Sequence, residues 1–223
     1  MYTPWLARLT AWVAPLRCAA CLAPLAASCA QPLCAPCALS LGIHRDLPPS
    51  GLDQALYAAL DAGPLALAWR AVKYGPALWR AEDIADVWAS LPWTAEIHEH
   101  DAIVPVPMTR WKRASRGFNQ AEVLARALSK TTGWPLDRST LRRRLWTGTQ
   151  AARDRRSRRA ANNPFACPSP APRRVVLVDD VWTTGATLSA AAEALCAAGS
   201  EHICALTLLR HDALLPSSGL DSP

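Results

Sequence analysis

The stretch Val175-Val-Leu-Val-Asp-Asp-Val-Trp-Thr-Thr-Gly-Ala-Thr187 decides how the rest of the chain is read. Arg174 to Val178 is β-branched and apolar, which predicts a central strand of a parallel sheet covered on both faces. It delivers two carboxylates, Asp179 and Asp180, at its C-terminal end. A Thr/Gly turn follows at once, then a helix predicted over Leu188 to Ala198 with Gly199 as its stop. Ile203 to Leu209 predicts another strand. Strand, helix and strand at this spacing specify α/β architecture with a parallel sheet. In such sheets ligands bind beyond the carboxyl ends of the strands.

The turn has the composition of an anion site. Gly185 lets the backbone approach a ligand closely. Amide groups at the helix start, with the Thr183, Thr184 and Thr187 hydroxyls, can cradle a phosphate. The adjacent acids suit another part of the same ligand, because carboxylates accept hydrogen bonds from vicinal ribose hydroxyls or help to organise a metal. The loop lacks Gly-Lys-Ser/Thr and is no P-loop; it lacks G-x-G-x-x-G, which argues against a dinucleotide fold. A plain capped turn accounts for one threonine, but not for two acids, three threonines and a glycine within nine residues.

Outward from this stretch, Ala102 to Val106 predicts a short buried strand, and Asn119 to Lys130 a helix that ends before Gly133. Leu52 to Leu60, Leu65 to Lys73 and Trp79 to Leu91 read as helices. Trp5, Leu6, Leu9, Trp12, Val13 and Leu16 recur at helical spacing and predict a short amphipathic helix docked on the protein's own core. Arg142 to Arg159 reads as a charged loop. His98-Glu-His100 reads as a polar turn, and Cys167, Cys196 and Cys204 as ordinary residues of the fold.

The net charge of +6 is uneven. Arg110 to Arg159 holds fifteen Lys/Arg against three acids, a local excess of +12. Such a field attracts phosphates, nucleotides or nucleic acid. Trp111, Trp134 and Trp146 are interleaved with it, a pattern suited to single strands; a solvated face that also closes over a ligand is the simpler reading. No transmembrane span is legible. The first apolar run is broken by Arg8 and has no basic flank, so no signal peptide is expected and the chain is placed in the cytoplasm.

Disulfides are rare in that compartment, so the eight cysteines need another explanation. Cys18-x-x-Cys21 and Cys34-x-x-Cys37 are two knuckles whose thiolates suit tetrahedral Zn²⁺, in a segment too small to build its own core. Cys29 lies between them at a poorer spacing. A closed site of four cysteines has no open coordination position, so its role is structural or in partner contact.

Together these motifs resemble the ComF/GntX-like branch of the type I phosphoribosyltransferases. The resemblance rests on Lys73-Tyr74-Gly75, Pro105-Val106-Pro107, Arg116-Gly-Phe-Asn-Gln120 ahead of Leu124-Ala125, then Arg144, Thr147, Gln150, Arg159, Asn162 and Phe165, and finally Val175 to Thr187. It implies a phosphoribosyltransferase-like parallel sheet flanked by helices over residues 51–212. Residues 1–50 would hold the N-terminal helix and a zinc ribbon, and 213–223 a frayed tail. Asp179 and Asp180 would hold the ribose hydroxyls of phosphoribosyl pyrophosphate and serve as the catalytic pair. Val181, Thr183, Thr184, Gly185, Ala186 and Thr187 would bind the rest of the ribose phosphate. Thr109, Arg110 and Arg116 would face pyrophosphate, with Arg144, Gln150 and Arg159 on a loop that closes over the donor. Mg²⁺ would accompany the donor.

The resemblance further implies an accessory role in natural transformation, in contact with single-stranded DNA and a competence helicase. The alternatives are an active phosphoribosyltransferase with an unidentified acceptor, of nucleotide-salvage type, and a non-enzymatic sensor of the donor.

Overall fold

The computed structural model describes residues 16–26, 29, 31–74, 78–97, 100–144 and 163–212. Most of the N-terminal apolar stripe, His98, Thr147, Gln150, Arg159, Asn162, most of the arginine-rich loop and the tail lie outside the described residues.

Five strands form one sheet in the order β1-β2-β7-β6-β3 among the described residues. β2 (Gln54–Leu60), β7 (His202–Arg210), β6 (Arg174–Trp182) and β3 (Ala102–Pro105) run parallel. β1 (His44–Arg45) pairs antiparallel with β2 at the edge, so the sheet is mixed rather than wholly parallel. β4 (Arg142–Arg143) and β5 (Phe165–Ala166) make a separate two-stranded ribbon.

β6 is the axis of the fold, and it obeys the two-residue alternation of a strand. Val175 and Leu177 face α7 (Ala186–Ala197) and pack with Leu188, Ala191 and Leu195. Val176 and Val178 face the opposite core, which is built from α2 (Gly63–Tyr74), α3 (Leu78–Ala89), α4 (Trp93–Glu96) and α6 (Gln120–Thr132). Trp69, Trp88 and Trp93 are fully buried there. Burying one such ring completely is worth about 3 kcal/mol, so this face carries much of the stability. Trp88 and Trp93 also satisfy their indole N–H groups on the Thr207 and Trp88 carbonyls.

One expectation fails. Leu52 to Leu60, read as helical, contains β2 instead. A short apolar run rich in Ala and Leu carries no period that separates a helix from a strand buried on both faces. Pairing with β7 on one side and β1 on the other overrides the helix propensity of those residues. β6 also extends past the expected Val178 to Trp182, so the two acids belong to the strand rather than to the turn.

The cysteine segment joins the main core rather than standing apart. Cys18, Ala19, Leu33 and Cys37, the last on the short helix α1 (Ala35–Leu39), are buried in the cluster that contains Trp69 and Trp88. Arg80 on α3 fixes the first knuckle: its Nε donates to the Ala19 carbonyl at 2.8 Å and its Nη2 to the Ala20 carbonyl at 3.1 Å.

Candidate functional site

The carboxyl ends of β2, β7, β6 and β3 open onto one cavity of about 820 Å³. Asp179, Asp180 and Val181 line its floor, and Thr183 and Thr187 line the side where α7 begins. Asp179 Oδ1 accepts the Asp180 amide at 2.9 Å, which fixes one carboxylate. Trp69 Nε1 points at Asp180 Oδ2 from 3.3 Å and steadies the other.

The basic wall comes from the turn after β3. Pro107, Met108 and Thr109 line the cavity and lead into α5 (Arg110–Arg116), whose Lys112 and Arg116 face it. Thr109 caps that helix, its hydroxyl accepting the Lys112 amide at 3.2 Å. Asn119 and Gln120 follow at the start of α6. Asn119 is occupied with the Val106 carbonyl at 3.0 Å, whereas the buried Gln120 Nε2 has no partner among the described residues. Arg143 reaches the cavity from β4 with its guanidinium 5.1 Å above the Phe165 ring.

The third wall was invisible to sequence reasoning. Asp61 at the end of β2, Leu67, Arg70 and Ala71 on α2, and His211 after β7 close the cavity on that side. Arg70 Nη2 lies 2.9 Å from Asp61 Oδ1, and His211 Nδ1 lies 3.6 Å from Asp61 Oδ2. Asp61 directly follows the last residue of β2, whereas Asp179 is paired within β6 opposite Thr207. Reading residues 52–60 as helix hid this acid at the end of a strand.

Of the residues expected at a donor site, Asp179, Asp180, Val181, Thr183, Thr187, Thr109 and Arg116 converge on the cavity. Thr184 and Ala186 are exposed beside it, and Arg110 and Arg144 are exposed without lining it. Lys112 and Arg143, one or two positions away, supply the charge instead.

Gly185 has a more local reason than ligand approach. Its φ is +81°, and a Cβ there would fall 2.6 Å from Pro49 Cγ. Trp182, free in the sequence to stack on a ligand or to cover the loop, is buried against Tyr57 with Arg210 over its face at 4.3 Å. Arg210 Nη1 also donates to the Thr183 carbonyl at 2.7 Å, and its Nε to Asp46 Oδ2 at 3.1 Å.

At the other end of the chain, Cys18, Cys21, Cys34 and Cys37 bring their sulfurs within 4.8 Å of one another. Sulfurs bound at about 2.3 Å to a tetrahedral zinc lie about 3.8 Å apart, so the set fits with small adjustments. The Cys21 and Cys34 amides point at Cys18 Sγ from 3.5 and 3.3 Å, as donors that stabilise a thiolate. Burial opposes ionisation of Cys18, yet those N–H groups draw it down to about 6. Burial and the neighbouring thiols push Cys37 up. Four thiols so placed ionise together only around a cation, so the cluster is one able to coordinate a metal ion. Cys29 is turned away, its thiol directed at the Gln31 carbonyl. Cys204 is buried in β7, where burial pushes its thiol up to about 12, in keeping with an ordinary core residue.

A sheet open at its carboxyl ends, with acids on its central strand and a threonine loop before a helix, is the frame of a phosphoribosyltransferase-like α/β domain. The chain belongs to the Phosphoribosyl transferase domain family, whose model matches residues 93–219. It is 36% identical over 120 residues to Competence protein F of Haemophilus influenzae, covering 49% of this chain and 50% of that protein. It is 31% identical over 144 residues to the DNA utilization protein YhgH of Escherichia coli O157:H7, covering 60% of this chain and 62% of that one. The chain thus spans about half the length of the curated relatives it matches. Among solved structures, adenine phosphoribosyl transferase from Trypanosoma brucei superposes with a TM-score of 0.41 at 13% identity, over 82% of this chain and 92% of that one. No helix among the described residues is long and apolar enough to cross a membrane.

Proposed function

We propose that the chain binds phosphoribosyl pyrophosphate, or a closely related ribose phosphate, and acts as an accessory factor in DNA uptake that contacts single-stranded DNA. The observation that carries the reading is one cavity with two carboxylates on its floor and threonine hydroxyls and basic side chains on its sides. In this reading Asp179 and Asp180 accept the ribose hydroxyls, while Thr183, Thr187 and the start of α7 take the 5′-phosphate. Lys112, Arg116 and Arg143 neutralise the pyrophosphate. The carboxylates beside a polyanion site also fit Mg²⁺, which would spread the charge of a departing pyrophosphate. The metal at the four cysteines is zinc, in a structural role. The names of the relatives support the link to DNA uptake; contact with a competence helicase is part of the same reading.

A second reading is favoured by the third wall. Asp61, Arg70 and His211 leave polar room beyond the acids for an acceptor, as an active phosphoribosyltransferase requires. Melting in the presence of the donor and Mg²⁺ tests the site. The midpoint rises for wild type, and not for the Asp179→Asn/Asp180→Asn double variant; equal shifts would dismiss the assignment. Pyrophosphate release across a panel of bases, nucleosides and amines then separates the readings. Release that depends on one acceptor makes the protein an enzyme, and silence despite tight binding leaves a sensing or DNA-handling role.

A further inference from the structure

Arg210 is the last residue of β7 and pairs in register with Trp182 at the end of β6. Its side chain is only 22% exposed. Nη1 donates to the carbonyls of His211 at 2.6 Å, Thr183 at 2.7 Å and Trp182 at 3.3 Å. Nε is anchored on Asp46 Oδ2 at 3.1 Å, and the guanidinium lies 4.3 Å from the centre of the Trp182 ring. Asp46 is itself steadied, its Oδ1 accepting the Leu47 amide at 2.7 Å.

A guanidinium so fully engaged is not available to a ligand, and Arg210 is not among the residues that line the large cavity. Its action is on the backbone. The peptide bonds here are trans and planar, so each carbonyl points opposite to the N–H of the following residue. Holding the Trp182 and Thr183 carbonyls on Arg210 therefore turns the Thr183 and Thr184 N–H groups away from it. Thr183 lines the cavity, so the loop stands between the guanidinium and that space. Gly185, at a φ of +81°, then bends the chain into α7, a curl by which successive N–H groups converge on an anion. Peptide groups already held in place need not be ordered when a ligand arrives.

We infer that Arg210 is a positioning residue, which presets the Thr183 and Thr184 amides for the phosphate of a ribose phosphate without touching it. The inference rests on the reading of Thr183 to Thr187 as the phosphate loop. It also makes affinity for that phosphate depend on Asp46, a residue far away in the chain that holds the other end of the guanidinium.

Calorimetric titration of the full chain with ribose 5-phosphate, and separately with pyrophosphate and Mg²⁺, tests it. Arg210→Gln should weaken ribose 5-phosphate about tenfold. Pyrophosphate, read as held by Lys112, Arg116 and Arg143, should change less than about twofold. Arg210→Lys keeps the charge but not the fork that spans the carbonyls and Asp46, and should recover little of the loss. Asp46→Asn should cost about threefold on ribose 5-phosphate alone. Unchanged ribose 5-phosphate affinity in Arg210→Gln overturns the inference and leaves the phosphate loop standing. So does an equal loss for both ligands, or full recovery in Arg210→Lys, which would reduce the residue to its charge. Where Arg210→Gln melts too early to titrate, Asp46→Asn decides: a loss confined to ribose 5-phosphate supports the role, and no such loss overturns it. Failure of wild type to bind ribose 5-phosphate overturns the phosphate-loop reading, and the inference with it.

Discussion

The cysteine knuckles and the open edge of the sheet are both made of loops, yet they are held in opposite ways. Among the described residues between Cys18 and Cys37 little regular structure precedes the short helix over Ala35–Leu39, and four sulfurs, two amide-to-sulfur contacts and Arg80 shape the segment. At the sheet edge every loop leaves a strand or enters a helix, and its position is inherited from buried Val, Leu and Trp residues. The first region gathers four sulfurs closely enough to coordinate a metal ion. The second surrounds an open cavity with side chains that the scaffold already holds in place. A site that must exchange its ligand is best placed where the scaffold already holds the groups.

The largest expected effect tests that contrast directly. Structural zinc contributes about 10–16 kcal/mol of metal-coupled folding in small peptides. Chelation, or Cys18→Ser with Cys37→Ser, should release residues 16–40 to rapid hydrogen exchange while β6 and β7 stay protected. Simultaneous loss of both regions would show that they are one cooperative unit.

Gly185→Ala comes next. A left-handed φ costs a residue with a side chain about 1–2 kcal/mol, and crowding against Pro49 adds about as much. The midpoint should fall and the donor-induced shift should vanish with it. Arg80→Ala breaks the bridge between the regions, leaving the Ala19 and Ala20 carbonyls without their guanidinium partner. The expected loss is about 1–3 kcal/mol by denaturant titration, with the knuckles more readily proteolysed.

Asp137 offers a smaller test on the sheet side. Burial opposes its ionisation, but hydrogen bonds from Thr140 and Ser139 bring its carboxyl down to about 2. It closes the turn that leads through Leu141 into Arg143. The folded value is depressed, so this stability is present above the unfolded carboxylate value of about 3.9 and fades as pH falls towards 2. Urea midpoints followed through that window should drop in wild type and stay flatter in Asp137→Asn. The smallest effect belongs to Leu22, the one non-glycine residue at positive φ among the described residues, at 63°. Leu22→Gly should stabilise the knuckle by less than about 1 kcal/mol, seen as slower loss of metal to a chelator.

The two regions also differed in how far they could be read in advance. Spacing alone named the four cysteines, because ligands on two tight turns are local in sequence. The wall carrying Asp179, Thr183 and Thr187 was equally local, one strand and the turn after it. Asp61, Arg70 and His211 were not, because they reach the cavity only through the pairing of β2 with β7. Long-range pairing leaves no mark in a run such as Gln54-Ala-Leu-Tyr-Ala-Ala-Leu60, where helix and strand are equally good local descriptions. The choice between Arg143 and Arg144 depended on the register of β4 with β5, which sends one side chain over Phe165 and leaves its neighbour exposed.

Pro49 and Asp46 tie the N-terminal segment to the threonine loop. Both precede β2, and both touch the machinery of the threonine loop: Pro49 packs on Gly185, and Asp46 receives Arg210, which in turn holds the Thr183 carbonyl. A truncation that begins at Gly51 would therefore remove more than the cysteine knuckles. It would take away the wedge and the tether of the loop, and with them β1 from the sheet edge. A shortened protein meant to isolate ribose-phosphate binding should start before His44, leaving the piece that the loop leans on attached to the body it serves.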